Sequence, residues 1–275
     1  MRQPRGDNRG ILDPDRLRRE LRFRRHLPAP ALRGWVEHYW LIDWALTTPF
    51  VQQVVPHPAV NVVFQRVDGG PETAEIAGVG RQLFSITLTG TGTVSGVQFR
   101  PGGFRPFWRR PVAELTGRRV PLTHCPAAAR AAGSADPPGR CVGTDDERRH
   151  ALDAFLTAWA PEPDPTTTEA VALAEEIRVD RSVLRVDDFA QRHRISTRRL
   201  QRLFLDHVGV GPKWVIRRYR LQEAIEQAAA GPLDWARVAA DLGYADQAHL
   251  VREFTAVAGV SPAAYARSLA APPGG

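Results

Sequence analysis

Two stretches of this chain are copies of one another, and no other feature restricts its possible folds as strongly. Laying FAQRHRISTRRLQRLFLDHVGVGPKW (189–214) over VAADLGYADQAHLVREFTAVAGVSPAA (238–264) pairs Ala190 with Ala239 at an offset of 49. After one inserted residue the offset becomes 50, and Leu200 pairs with Leu250, Arg202 with Arg252, Phe204 with Phe254, Gly209 with Gly259, Val210 with Val260 and Pro212 with Pro262. Each copy has the pattern of a short helix, a tight turn and a second, amphipathic helix, so the spacing predicts a duplicated helix-turn-helix.

In the first copy Phe189 and Ala190 face inward, the chain turns near Arg194 and Ile195, and the Ser196 hydroxyl caps the next helix. Leu200, Leu203 and Phe204 form its buried stripe, which leaves Arg198, Gln201, Arg202 and Leu205 outside. In the second copy Asp234 caps a helix buried through Val238, Ala239 and Leu242, Gly243 permits the turn, and Asp246 caps a helix whose core residues are Leu250 and Phe254. Gln247, His249, Val251 and Arg252 are then outer or flanking positions. Between the copies Pro212 suits a first helical position, and the apolar pattern from Trp214 to about Ala229 predicts one connecting helix. Roughly eighteen residues of helix span about 27 Å, near the roughly 34 Å of one DNA turn, so a single chain can present both second helices to successive major-groove segments. From Arg192 to Arg220 nine basic residues stand against one acid, Asp206. Such a surface suits phosphates.

Upstream the texture differs. Residues 1–33 read as a polar, Arg-rich leader with a short helix around Asp15 to Phe23. Residues 34–160 read as β-rich, from the apolar runs YWLIDWAL (39–46), NVVFQ (61–65), LFSITL (83–88) and TVSGVQF (93–99) set between Pro and Gly. Short helices are expected at 104–108 and 111–116, a surface loop over 126–146, and a helix from about Asp146 to Trp159 with Leu152, Phe155, Leu156 and Trp159 inward. PEPDP (161–165) reads as a Pro-rich linker, residues 166–268 as all helix, and 269–275 as a flexible tail. Thr166 and Glu169 match a capping box ahead of the stripe Ala170, Leu173, Ala174 and Ile177. The expected fold class is α+β: a β-rich N-terminal domain, then an all-α domain with two helix-turn-helix motifs joined by a linker helix.

The block from about 166 to 268 resembles the DNA-binding domain of the AraC/XylS family of bacterial transcription regulators. The likeness rests on LQRLF, the linker RRYRLQEA, and VAADLGYADQAHLVREF followed by GVSPAAY. Gly259, Ser261, Pro262 and Tyr265 fall on the family's closing signature, although Ala266 separates Tyr265 from Arg267. The resemblance implies a sequence-specific regulator in which Arg198, Gln201 and Arg202 of the first helix and Gln247, His249 and Arg252 of the second face the groove. Arginine and glutamine suit that role because they grip guanine and adenine in bidentate fashion. Ser196, Arg199, Arg217 and Arg218 are assigned to phosphates; a salt bridge is the alternative for Arg199, and a neutral place beside Asp246 for His249. VVPHPAVNVVFQ (54–65), GVGRQ (78–82) and GVQFRPGGF (96–104) resemble a cupin-like, AraC-associated N-terminal domain. The implied partners are double-stranded DNA, a small-molecule effector, RNA polymerase and a second copy of the chain, and the implied role includes activation.

The remaining features mostly exclude. A net charge of +7, from 37 basic and 30 acidic residues with Lys213 the only lysine, suits an anionic partner without requiring one. Cys125 and Cys141 are too few for a disulfide framework or a four-ligand zinc site. The first thirty residues hold no signal-peptide core, and no stretch approaches the roughly 20 apolar residues of a membrane span, so a cytoplasmic protein is expected. His57 has no second histidine two residues on, so neither a metal nor another cofactor is expected. No nucleophile, base and orienting group come together in adjacent motifs, which argues against an enzyme. Arg100 and Arg105 beside PGG either bind an anion or tie down the loop, and Trp35, Trp40, Trp44 and Trp108 either line a pocket or fill the core.

Overall fold

The computed structural model describes residues 10–133, 140–159, 161, 163–230 and 234–270. Its first helix, α1 (Pro14–Glu20), is capped by Asp13, whose carboxylate accepts from the Arg16 amide at 2.9 Å. β1 (Arg22–His26) follows and pairs antiparallel with β2 (Val36–Val54). The leader expected over 1–33 is therefore folded from Ile11 onward, with Ile11, Leu17 and Leu21 buried; residues 1–9 lie outside the described residues. Its arginines concealed an apolar stripe.

β3 (Asn61–Val67), β4 (Thr73–Ala77), β5 (Phe84–Phe99) and β6 (Arg119–Pro121) complete a six-stranded sheet in the order β1-β2-β5-β3-β4-β6. All pairings are antiparallel, and β2 and β5 run together from Val36 opposite Phe99 to Val54 opposite Phe84, with irregularities between Val36 and His38 and between Leu46 and Phe50. Between β5 and β6 lie α2 (Arg105–Trp108) and a 3-10 turn (Val112–Leu115), as the sequence indicates. Strand alternation divides the sheet into two faces. Tyr39, Leu41, Val62, Phe64, Ile76, Val97 and Phe99 share one core with Leu152, Phe155, Leu156 and Trp159.

The 126–146 stretch is not simply a loop. It contains α3 (Pro126–Gly133), which buries Ala128 and Ala131 beside Cys125 and Cys141; residues 134–139 lie outside the described residues. Alanine is the strongest helix former, and its small side chain lets the helix pack closely, an effect that the neighbouring Pro and Gly masked. The next helix, α4 (Asp145–Trp159), carries the buried Arg148, whose guanidinium donates to Asp43 at 2.6 Å, Ser95 Oγ at 2.9 Å and the Val94 carbonyl at 2.6 Å. Those partners offset its desolvation. Trp35 and Trp108 belong to this core, the first edge-on to Phe107 at 5.8 Å, whereas Trp40 and Trp44 lie on the opposite face of the sheet.

After Asp164 every element among the described residues is a helix. α5 (Pro165–Val179) starts with proline in its first turn, and Asp164 caps it by accepting from the Thr166 and Thr167 amides, each at 3.0 Å. The capping box expected at Thr166 and Glu169 is thus replaced by an Asp-Pro start two residues earlier, which frees Glu169 to pair with Arg199. α6 (Val186–Arg192), α7 (Thr197–His207), α8 (Pro212–Ala230), α9 (Trp235–Asp241), α10 (Gln247–Ala258) and α11 (Pro262–Ala270) follow. Residues 271–275 of the expected tail lie outside the described residues. The helical part meets the sheet part at several points: Val79 joins the core around α5 to α8, Leu12 and Val55 join the core around α8 to α11, and Thr116 Oγ1 donates to the Gly209 carbonyl at 2.6 Å.

Candidate nucleic-acid interface

Both copies of the repeat fold into the expected unit. In the first, α6 buries Phe189 and Ala190, the chain turns through Arg194 at φ 55°, and the Ser196 hydroxyl accepts from the Arg199 amide at 3.2 Å to start α7. In the second, Asp234 accepts from the Ala236 amide at 3.0 Å, Gly243 turns the chain at φ 73°, and Asp246 accepts from the His249 amide at 2.6 Å to start α10. The inward stripes are Leu200, Leu203 and Phe204 in α7, and Leu250, Phe254 and Ala258 in α10. Between them α8 has 19 residues, about 28 Å at the helical rise.

The outward face of α7 is formed by Arg198, Gln201, Arg202 and Leu205, all exposed and spaced three, four and seven residues from the first. Among the described residues, Arg198 and Arg202 make no ion pair or side-chain hydrogen bond. Most other basic residues of the Arg192 to Arg220 stretch are engaged. Arg192 pairs with Asp180 at 2.6 Å, and Arg199 makes a two-pronged contact with Glu169 at 2.8 and 2.7 Å. Arg217 donates to Glu253 at 3.1 Å and contacts His249 Nε2 at 2.8 Å. Arg220 is buried, with Glu223 at 2.8 Å and the Ile177 and Asp180 carbonyls each at 2.8 Å. Arg194, Arg198, Arg202 and Lys213 remain exposed and without an ion pair among the described residues. The bare charge count thus overstated the available cations.

Arg218 needs correcting as a phosphate contact. It is only 4% exposed, stacks over Trp214 with its guanidinium carbon 4.5 Å from the ring centre, and donates to the Arg81 carbonyl at 3.1 Å. Burial lowers its pKa to about 10. It faces the sheet part rather than solvent. Arg217 and Arg199 are each held by a carboxylate, and Ser196 is used as a helix cap.

In α10, Gln247 and Arg252 are exposed, but His249 is half-buried between Arg217 and Tyr244, whose ring lies perpendicular to it with the ring centres 5.3 Å apart. Of the two expected places, outer or flanking, it takes the flank, and its amide on Asp246 matches the alternative reading. The offset of 50 explains why: His249 occupies the position of Arg199, itself a flank residue. The positions matching Arg198, Gln201, Arg202 and Leu205 are Ala248, Val251, Arg252 and Thr255. Ala248, Arg252 and Thr255 are exposed and Val251 is half-buried. Carrying the offset through every position of the helix, rather than selecting polar side chains, identifies this face from sequence.

Residues 189–268 match the family described as a helix-turn-helix domain, and residues 24–121 match a domain of unknown function, DUF6597. No curated protein matches the chain. Among solved structures, ToxT of Vibrio cholerae is similar at 10% identity and a TM-score of 0.40, over 92% of this chain and 100% of that one. ToxT bound to an unsaturated fatty acid gives 12% and 0.40, over 83% and 94%. ToxT bound to (E)-4-(8-methylnaphthalen-1-yl)but-3-enoic acid gives 11% and 0.40, over 91% and 99%. The matched helix-turn-helix domain, of the AraC type, thus lies on the duplicated unit, with a DUF6597 domain ahead of it.

Proposed function

We propose that this protein controls transcription by reading two successive major-groove segments, one with α7 and one with α10. The observation that carries the reading is the outward face of α7: Arg198, Gln201 and Arg202 are exposed together, while arginines flanking that face are held by carboxylates or buried. An arginine with no internal partner gives up no ion pair when it meets a base, and its fork fits guanine O6 and N7. Arg194 and Lys213, both exposed, are placed to meet phosphates more readily than the engaged Arg199 and Arg217. The α10 face is chemically different. Arg252 is its cation, with Gln247 at the start of the helix and Ala248 and Val251 offering methyl groups that suit thymine.

The sheet part is the regulatory half of this reading. It touches α8, the helix between the two readers, through the Arg81 carbonyl on Arg218 and the His57 ring 5.4 Å from the Tyr219 ring. Fluorescence anisotropy with the DNA upstream of the protein's own gene, against a scrambled duplex and across salt concentrations, tests the DNA assignment. Tighter binding to the upstream DNA is expected. Equal affinity for both would make the protein a non-specific binder, and no binding at low salt would remove DNA as the partner.

A further inference from the structure

The sheet face turned away from α4 encloses a cavity of about 800 Å³, large enough for a small organic molecule. Trp40 and Trp44 of β2 lie against Gly96 and Gly92 of β5. A Cβ at Gly96 would stand 1.9 Å from Trp40 Cε2, and one at Gly92 2.1 Å from Trp44 Cζ2, so only glycine lets the indoles settle onto the strand. Their N–H groups are already used, by Asn61 Oδ1 at 3.2 Å and the Thr89 carbonyl at 3.0 Å. Trp40, half-buried, therefore offers an occupant apolar ring surface, with Trp44, 6% exposed, packed behind it. Phe23, Ile42, Val63, Ile86 and Leu88 continue that apolar lining.

The charge around the cavity is one-sided. Its lining holds five arginines, Arg25, Arg81, Arg118, Arg119 and Arg178, against one carboxylate, Glu37, which already pairs with Arg100 at 3.3 Å. Arg119 and Arg178 are matched by Glu75 and Glu175. Arg81 and Arg118 are exposed and make no ion pair among the described residues. His38 supplies no further charge, because burial lowers its pKa to about 3 and leaves it neutral. An aromatic surface beside unmatched cations selects a particular kind of guest.

We propose that this cavity is the effector site and that it takes a planar aromatic molecule carrying one anionic group. The ring stacks on Trp40, and the anion meets the Arg81 and Arg118 side of the lining. Two segments that line the cavity also touch the DNA-binding half: Val55 shares a core with Leu221, His57 lies against Tyr219, and Arg81 accepts from Arg218. An occupant that shifts either segment acts on α8. This regulatory consequence rests on the reading of the sheet part as the controlling half, whereas the site and its chemistry are tested without DNA.

The full chain is titrated with 8-anilino-1-naphthalenesulfonate, and separately with N-phenyl-1-naphthylamine, which has a similar ring body but no charge. Saturable binding at one probe per chain is expected, with energy transfer from tryptophan and an affinity about tenfold above that of the neutral probe. The double variant R81Q/R118Q removes exposed charges outside the core, and the preference should shrink to about threefold or less. Val63→Phe fills the cavity and should weaken both probes about tenfold. A cooperative urea transition confirms that each variant is folded. No saturable binding to the folded protein, or binding unaffected by Val63→Phe, would overturn the site. Equal affinity for the two probes would overturn the anion requirement, and laurate displacing the sulfonate at equal or lower concentration would overturn the preference for a planar ring. Anisotropy on the upstream DNA with the sulfonate at saturation is then expected to change by about threefold or more. Binding of the probe without any such change would keep the site and refute the regulatory reading alone.

Discussion

Arg202 and Arg218 look alike in sequence, two arginines in one basic stretch, yet the structure gives them opposite consequences when each is replaced by alanine. Arg202 is exposed and has no partner among the described residues, so its removal leaves no buried group unpaired. Folding stability should stay within about 0.5 kcal/mol. If Arg202 grips a guanine, specific DNA binding should weaken by about 1–3 kcal/mol, roughly 5- to 150-fold, with preference relaxed at one base position. Arg218 is 4% exposed and loses two contacts. The charge-assisted hydrogen bond to the Arg81 carbonyl is worth about 1.5–3 kcal/mol, and the stacking on Trp214 about 0.5–2 kcal/mol. Part of this is returned, because an arginine whose pKa is pulled down to about 10 was costly to bury. A net loss of about 1–3 kcal/mol is expected, with affinity per folded molecule changed by less than about threefold. Urea unfolding followed by circular dichroism, beside anisotropy at several salt concentrations, measures both quantities on both variants. If Arg218→Ala kept its unfolding midpoint, weakened every duplex equally and reduced the salt slope by about one, Arg218 would be a phosphate contact and the packing argument would be wrong.

Other perturbations separate the parts of the molecule. Gly96→Ala should cost about 2–4 kcal/mol in urea unfolding, from displacement of Trp40 and loss of its bond to Asn61, whereas the same change at Gly34, where a Cβ meets nothing within 4 Å, should be nearly silent. His38 has a pKa of about 3 in the folded protein against about 6.5 free, so the unfolded chain binds a proton across that window and the folded chain does not. Stability should fall as pH drops from about 6.5 towards 3, and His38→Gln should show a shallower fall in midpoint over the same range. Asp246→Ala removes the cap of α10 and should cost about 0.5–2 kcal/mol. Because this loosens only the second reader, binding to a duplex with that half-site scrambled should change less than binding to the intact site.

The duplicated unit was legible because periodicity and caps are local. Leu200, Phe204, Leu250 and Phe254 announce inward stripes by spacing alone, and Ser196, Asp234 and Asp246 announce helix starts by chemistry that acts within three residues. The outer face of α7 follows from the same spacing. Its counterpart on α10 follows from the offset of 50, which sets His249 on the flank with Arg199 and leaves Ala248, Val251, Arg252 and Thr255 as the matching face. The strand-rich character of the first half was also legible, but its pairing was not, since β2 meets β5 across the intervening β3 and β4.

What sequence alone determined about this protein is therefore the identity of the helices that follow Asp164, the direction their stripes must face and the type of domain they form. The tertiary structure decided which charges are free. Arg199, Arg217 and Arg218 owe their positions to Glu169, Glu253 and Trp214, residues 30, 36 and 4 positions away, and only the last lies within one helical turn. The cavity lining is likewise set in space, where glycines of β5 lie under tryptophans of β2 some 48 to 56 residues earlier. Neither arrangement leaves a periodic trace, because ion pairing and close packing depend on distance in space, and folding sets that distance between residues whose spacing along the chain carries no information about it.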